Sequence, residues 1–591
     1  MGNKKTNRKS PKTRRQHLND MKKCSQTPDT SPPHLCTNTP TPSATSTPVA
    51  TSSASSTTAS ARKLNFSHHI ELNEVENRYE YMIVEINSCL QWIRSIARCE
   101  CGEKMNITVK SECGMVKTFQ AECELCSAKS SYCTSPGGGN DKYDVHSRAV
   151  TAGLHCGDGY VAVQKFCMAI NMNVLHHKTY SKHQKEIQDS SIKKYEELLE
   201  KTRKEVHRFL EEKNPGLPEV KEVTVTVDGS WAKRGFTSKY GFVSAIEYET
   251  GMVVDHVTLS KWCKVCAMEE GKGRDRKDWW PEHASKCEKN FDGSSPAMEM
   301  EGWKILFGRS IEKCKMKYVC VVSDGDSKGF QAVKEMKPYG DVDIRKEECT
   351  NHVAKRLGKA LLNLKLGGKK KGSLTAVTVK KLQNYFSRAI KQNTGDVDEM
   401  KKAVYATIRH CASTDEQPKH STCPPGEDSW CFVQRAIAND QPIPPHKDHV
   451  HTPLRQDVLK KMIPVYMRIV TPQLLESCKG ATQNNNESLH NVIWSELPKT
   501  KFFRLQRMLY GVHRGVTKFN LGHAAAEVEG SGKFAAKAAK EKDITRANNA
   551  KRKMQCKEER KRKKIKAIQE EENKKRAEGT TYEAGGAALP T

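Results

Sequence analysis

The sequence predicts an α/β protein: a mixed five-stranded sheet carrying a large, mainly helical insertion, with small zinc-binding modules and basic tails around it. Three observations predict this. Strand-like and helix-like patterns alternate between residues 220 and 352, and a long helix-patterned run follows them. Cys and His recur in closely spaced groups around that alternation. Both ends of the chain are rich in Lys and Arg and poor in large apolar residues.

Size and charge bound the rest. A chain of 591 residues is too long for one hydrophobic core, so several domains are expected. Lys and Arg number 99 against 70 Asp and Glu, a formal charge of +29. That surplus favours a polyanionic partner, nucleic acid before anionic membrane. No apolar run approaches the roughly 20 residues that cross a bilayer, so no membrane partner is expected. The N-terminus lacks the apolar stretch of a secretory signal. Without such a signal, the 22 Cys read as thiols or zinc ligands and not as disulfides. The start MGNKKT fits the N-myristoylation pattern through Gly2 and Thr6, an anchor that is weak by itself.

Residues 1–65 are dominated by Ser, Thr, Pro, Lys and Arg and read as a disordered basic tail. The cluster KKTNRKSPKTRR suits nuclear import, a phosphate-binding arm or a merely soluble tail. Residues 80–133 form a candidate zinc ribbon: Cys99 and Cys101, the β-like NITVKSE, then Cys123 and Cys126, with Cys113 able to replace one member. Reduced, partly buried thiols are the alternative there. Residues 144–213 carry helical spacing broken at Gly157 and Gly159, which suits a helical support or a helix-turn-helix that touches DNA.

Between 220 and 352 the pattern changes. EVTVTVD alternates Val and Thr with period 2, so a strand is expected whose Val face packs on a core. It should end at Asp228, where the chain turns at Gly229. Two more strands are expected over 242–248 and 252–259, joined by short links and therefore antiparallel. MEMEGWKILFGRSIEKC reads as a helix, YVCVVS as a buried strand closed by Asp324, SKGFQAVKEM as a helix and VDIRK as a short last strand. The order β-β-β-α-β-α-β is that of a ribonuclease H-like sheet, in which the first and fourth strands are neighbours and their two acids face each other. Inside it, residues 262–288 hold Cys263, Cys266, His283 and Cys287 in the spacing C-x2-C-x16-H-x3-C, which suits tetrahedral zinc over free thiols. Residues 353–480 are mainly helical. Their Pro-rich loop holds His410, His420, Cys423 and Cys431, either another zinc set or a stiffened loop. Residues 481–520 are the final helices of the catalytic unit, with Glu487 in a first turn capped by Asn486 or a neighbour. Residues 530–591 form a Lys-rich tail, a charged helix or disordered, with Lys551-Arg552-Lys553 as a second import signal.

Phosphodiester chemistry needs an activated oxygen nucleophile and relief of charge on the leaving oxygen. A pair of Mg2+ ions, or Mn2+ in their place, does both and is held by carboxylates from separate segments. Asp228, Asp324 and Glu487 are such a trio, with Asp326, Glu299 and Glu301 as spare acids. Any one of them alone is an ordinary structural carboxylate; the three in this order point to chemistry. Trp494 follows Glu487 by seven residues, near the same helical face, and suits stacking on an unpaired base or filling a core.

Four stretches, VDGSWAKRG, GDSKGFQAVKE, EECTNHVAKRLG and TQNNNESLHNVIW, resemble the Mutator-like (MULE) transposases, a DDE family with a ribonuclease H-like catalytic domain. The resemblance covers about residues 80–520. It implies that Asp228, Asp324 and Glu487 are the acidic triad and that the helical run is an insertion between the second and third acids. Cys349-Thr350-Asn351-His352 matches a C-x2-H motif shared with related eukaryotic DDE families; packing beside the active site and sharing a metal both stay open for Cys349 and His352. The resemblance further implies a nuclear enzyme that cuts element ends and joins the 3' hydroxyl to target DNA. Its partners would be double-stranded DNA, as terminal repeats and target, and further copies of itself in a homo-oligomer. A catalytically silent DNA-binding or regulatory derivative and a metal-dependent nuclease are the alternatives.

Overall fold

The computed structural model describes residues 79–137, 142–233, 237–324, 328–368, 370–427, 429–451, 453–527 and 532–578. These belong to the larger of two units, residues 57–591. Gly2, the first tail with its basic cluster, and Asp326 lie outside the described residues.

A helix, Ile86–Ile96, leads into a three-stranded antiparallel sheet of β1 (Met105–Cys113), β2 (Val116–Cys123) and β3 (Lys129–Cys133). Three helices follow, Asp144–His155, Tyr160–Ala169 and the long His177–Lys213. The main sheet comes next, from β4 (Lys221–Trp231), β5 (Tyr240–Glu247), β6 (Val253–Ser260), β7 (Met316–Ser323) and β8 (Arg345–Glu348). Its spatial order is β6-β5-β4-β7-β8. The first three strands in sequence pair antiparallel, whereas β7 lies parallel to β4 and β8 parallel to β7. The five-stranded mixed sheet is therefore as the alternation predicted.

Period 2 along the strands sorts the sheet's two faces. Val223, Val225 and Val227 of β4 and Val243 and Ala245 of β5 pack against Trp303, Leu306 and Phe307 of the helix Ser295–Gly308. Phe242 and Ile246 point the other way, onto Leu489 and Ile493 of the helix Asn484–Glu496 and Val512 and Val516 of the helix Leu505–Asn520. Asp228 is one residue out of step with the valines, so it is presented to the second face. The outer edge of β6 is buried and partly paired by a side chain: Asn520 accepts from the Val253 N–H and donates to its carbonyl, each at 3.0 Å, as a neighbouring strand would.

β4 departs from the expected end at Asp228. It runs on to Trp231 because β5 keeps pairing with it, Asp228 opposite Ser244 and Trp231 opposite Gly241. The ladder to β7 stops earlier, at Thr226 opposite Val322. Asp228 therefore sits where one side of its strand has lost its neighbour, which opens a cleft. Gly229 is needed by packing and not by a turn: a Cβ there would meet the Trp231 ring at 2.2 Å.

The helical run has its own core, in which Leu357 and Leu361 meet Leu382, Phe386, Val404, Met462 and Tyr466. It leaves the sheet at the helix Thr350–Asn363 and returns near Ala481. The two ends are tied together, since the Glu348 N–H donates to the Ser477 carbonyl at 2.8 Å and the Thr350 N–H to that of Ala481 at 3.1 Å. The Lys-rich C-terminal region takes the helical alternative, Lys533–Glu578. Among the described residues no helix is long and apolar enough to cross a membrane.

Candidate active site and metal centres

Backbone contacts position the third acid. Of Asn486 and its neighbours, expected to cap the Glu487 helix, Gln483 holds the N-cap position and Asn486 lies inside the first turn. Both side chains are spent on β4 itself: Gln483 donates to the Val227 carbonyl at 3.1 Å and Asn486 to that of Thr226 at 3.5 Å. The strand that carries Asp228 thereby sets the register of the helix that carries Glu487. Cys349 completes the junction. It is buried, donates its N–H to the Ser323 carbonyl at 3.0 Å and accepts the Gln483 N–H on Sγ at 3.4 Å.

Side chains from two helices and from the ends of β4 and β7 then meet. His352 stands between two acids, Nδ1 4.0 Å from Asp324 Oδ2 and Nε2 3.6 Å from Glu487 Oε1. Lys355, one turn further along the same helix, donates to Glu487 Oε1 at 2.8 Å. Asp228 Oδ2 lies 3.9 Å from Nδ1 of His490, which is on the Glu487 helix. The structure thus brings Asp228, Asp324 and Glu487 to one cleft and places His352 of the C-x2-H motif within it.

The electrostatics are those of crowded like charges. Burial pushes the Asp228 carboxyl well above the usual carboxylate range, and Glu299 and Asp324 add to the shift against the Gly229 N–H bond. Glu299 is pushed up to about 7, first by burial and then by Asp324. It joins the cluster as a fourth acid, whereas Glu301 turns to Lys304 at 3.8 Å. Glu487 is held low by its hydrogen bond to Lys355. Burial brings His490 down to about 4, so it is neutral near pH 7. His352 Nδ1 and His490 Nε2 are buried without a hydrogen-bond partner. Hard oxygen donors with surplus negative charge, beside unsatisfied imidazole nitrogens, fit a divalent cation. Sequence reasoning missed Lys355 and His490; the latter follows Glu487 by three residues, a same-face spacing that could have found it. Trp494 is half-buried, donates to Ser230 Oγ at 2.8 Å, packs on Phe242 and carries the Lys499 ammonium over its ring at 4.4 Å.

Among the described residues, the groups of potential ligands whose atoms all lie within 4.8 Å of one another are three Cys/His sets. In the first, Cys99 Sγ lies 3.3 Å from Cys126 Sγ and Cys101 Sγ 3.5 Å from Cys123 Sγ, all as free thiols. Cys113 is at the far end of that hairpin, opposite Val116, and takes no part. In the second, His283 Nε2 lies 3.3 Å from Cys263 and 3.4 Å from Cys266, and Cys287 lies 3.5 Å from Cys266. The third joins His410, His420, Cys423 and Cys431, all buried. Cys431 Sγ is 3.3 Å from His420 Nδ1 and is held low chiefly by its bond with Cys423. Soft donors in fours, this close and without disulfides, could each hold a zinc ion. The third set has support that spacing did not reveal. Outside it, His420 Nε2 meets Ser413 Oγ at 2.8 Å and His446 Nε2 at 2.8 Å, and His446 Nδ1 bonds Asp415 at 2.7 Å. One tautomer set satisfies the chain: His420 keeps Nδ1 free for a metal, and His446 donates from Nδ1 to the carboxylate.

A five-stranded mixed sheet that gathers acids at one end, beside three Cys/His sets that could hold zinc, defines an α/β protein with candidate metal sites. The family model for Mutator-like transposases matches residues 80–431, more than half of the chain, and the protein belongs to that family. The match ends before Glu487. No match to the chain was found among curated proteins or among solved structures.

Proposed function

We propose that this protein is a DNA transposase that cuts the ends of its element and joins the freed 3' hydroxyl to target DNA. Family membership supports transposition. The observation that carries the chemistry is the meeting of Asp324 and Glu487 at His352, beside Asp228, whose carboxyl is raised by burial first and by Glu299 and Asp324 after it. Strand order β6-β5-β4-β7-β8, with β4 parallel to β7, supports reading the domain as ribonuclease H-like.

Asp228, Asp324 and Glu487 would hold Mg2+ or Mn2+, which supplies activation of the attacking oxygen and neutralisation of the leaving one. In the first reaction water oxygen bonds to phosphorus and the P–O3' bond breaks. In the second that 3' oxygen attacks a target phosphate and displaces its neighbour's 3' oxygen. Lys355 balances Glu487 and can turn to a phosphate, and His352 orients the two acids it touches. Zinc in the three Cys/His sets would fix the ribbon, the insertion in the sheet and the helical insertion. Nuclear residence and end-pairing by a homo-oligomer complete the reading.

The test uses the full chain, Mg2+ and a labelled duplex carrying the inverted repeat that flanks the coding region. Nicked and joined products are expected, and Asp324→Asn should abolish both while DNA binding persists. Cut product that is never joined makes the protein a nuclease. Wild type as inert as the mutant, with binding intact, makes it a silent DNA-binding derivative.

A further inference from the structure

The Glu487 helix has a side that the acid cluster does not use. Asn484, Ser488, Asn491 and Ser495 recur at steps of three and four and line, with Lys518 and Arg546, an open trough of about 580 Å3. A second trough of about 680 Å3 shares His523 and Arg546 with it and runs on along the C-terminal helix past Lys542, Asn549 and Lys553. The two troughs adjoin at His523 and Arg546, and together they form the surface called the channel below.

Its walls are locked together. Arg546 donates to the Lys518 carbonyl at 2.9 Å and to that of Phe519 at 3.0 Å, and so caps the helix Leu505–Asn520. Asp543 accepts the N–H groups of His523 and Ala524 at 2.7 and 2.8 Å. Lys518 is already balanced by Glu496 at 2.6 Å. Lys542 and Lys553 are exposed, and Glu541 is the acid among the lining residues. On a helix turning about 100° per residue, Glu487 lies roughly 40° from Asn491. It therefore stands on the seam between the channel face and the face packed on the sheet.

We propose that this channel carries the phosphodiester backbone of the DNA whose scissile bond lies among Asp228, Asp324 and Glu487. The inference rests on the transposase reading and adds a path to it. Amides and hydroxyls on one wall can donate to phosphate oxygens without reading bases. Lys542 and Lys553, roughly 16 Å apart along a helix axis, span the rise of about five base pairs and would release counterions.

The experiment measures binding of the full chain to fluorescent duplex DNA by anisotropy across a salt series. Lys542→Ala with Lys553→Ala should reduce the slope of log K against log salt by about 2, close to 0.9 for each lost phosphate contact. Ser488→Glu, which sets a carboxylate in the channel wall, should weaken binding at every salt concentration. Lys380→Ala with Lys401→Ala, exposed on the helical insertion, should leave the slope unchanged. A slope untouched by the channel pair, or lowered as much by the insertion pair, overturns the proposal. Cleavage followed in parallel keeps the two readings apart. A wild type that binds with full slope yet nicks nothing ends the catalytic reading alone. A nicking wild type whose slope ignores Lys542 and Lys553 ends the channel alone.

Discussion

The acidic cleft and the His410–Cys431 set are both ionisable clusters, the first drawn from distant segments and the second from one short segment, and they follow opposite plans. The Cys/His set is buried, its four donor atoms lie within 4.8 Å, and His420 is braced from outside by Ser413, His446 and Asp415. In the cleft the side chains of Asp324 and Glu487 are 61% and 51% exposed, and that of Asp228 is 28% exposed. The difference teaches what each site is for. Soft ligands gain from a dry, closed shell that is complete before an ion arrives. Acids that admit a charged substrate have to keep access to solvent.

The comparison can be broken at either end. Asp228→Asn should lower strand cleavage about 1,000-fold or more, the loss of several kcal/mol of charge stabilisation, while the metal-free protein melts no lower than wild type. A large drop in melting temperature would make Asp228 a structural acid instead. Cys431→Ser should do the reverse. Zinc measured by mass spectrometry should fall by one ion per chain, and melting should drop by about 5 to 10 °C as the insertion loosens. Asp415→Asn keeps all four donors and should still speed zinc loss to a competing chelator by about 10- to 100-fold; unchanged release would mean that the brace is idle.

A pH effect sharpens the contrast further. Glu299 is raised to about 7, so between its ordinary value near 4.5 and 7 the unfolded chain has released a proton that the folded chain keeps. Its contribution to metal-free stability therefore falls as pH rises through that window and then levels off. Glu299→Gln should melt about 2 to 4 °C above wild type at pH 8 and equal to it at pH 4. The smallest effect is expected at Trp494→Phe, which keeps a ring against Phe242 and loses the bond to Ser230, about 1 kcal/mol in a denaturant titration.

What was legible in the sequence was what repeats locally. Period 2 in VTVTV gave a strand and its buried face, and close ligand spacings gave the Cys/His sets that the fold brings together. Non-local partners stayed hidden. β4 outruns Asp228 because β5 pairs with Ser230 and Trp231, which no pattern near Gly229 announces. Asn486 reads as a helix cap until its distant acceptor, the Thr226 carbonyl, is seen. His446 and Asp415 brace a Cys/His set whose spacing does not include them, and Lys355 reaches an acid far along the chain.

The paired exits of the helical insertion carry a consequence for how this protein could be remodelled. Because the Glu348–Ser477 and Thr350–Ala481 bonds fasten departure to return, everything between them hangs from the sheet by a single stem. Trimming or exchanging that appendage beyond the helix Thr350–Asn363, which brings His352 and Lys355 to the acids, would leave Glu487 fixed to the carbonyls of β4 through Gln483 and Asn486, so the acidic cleft and the remote helices could be re-engineered as separable parts.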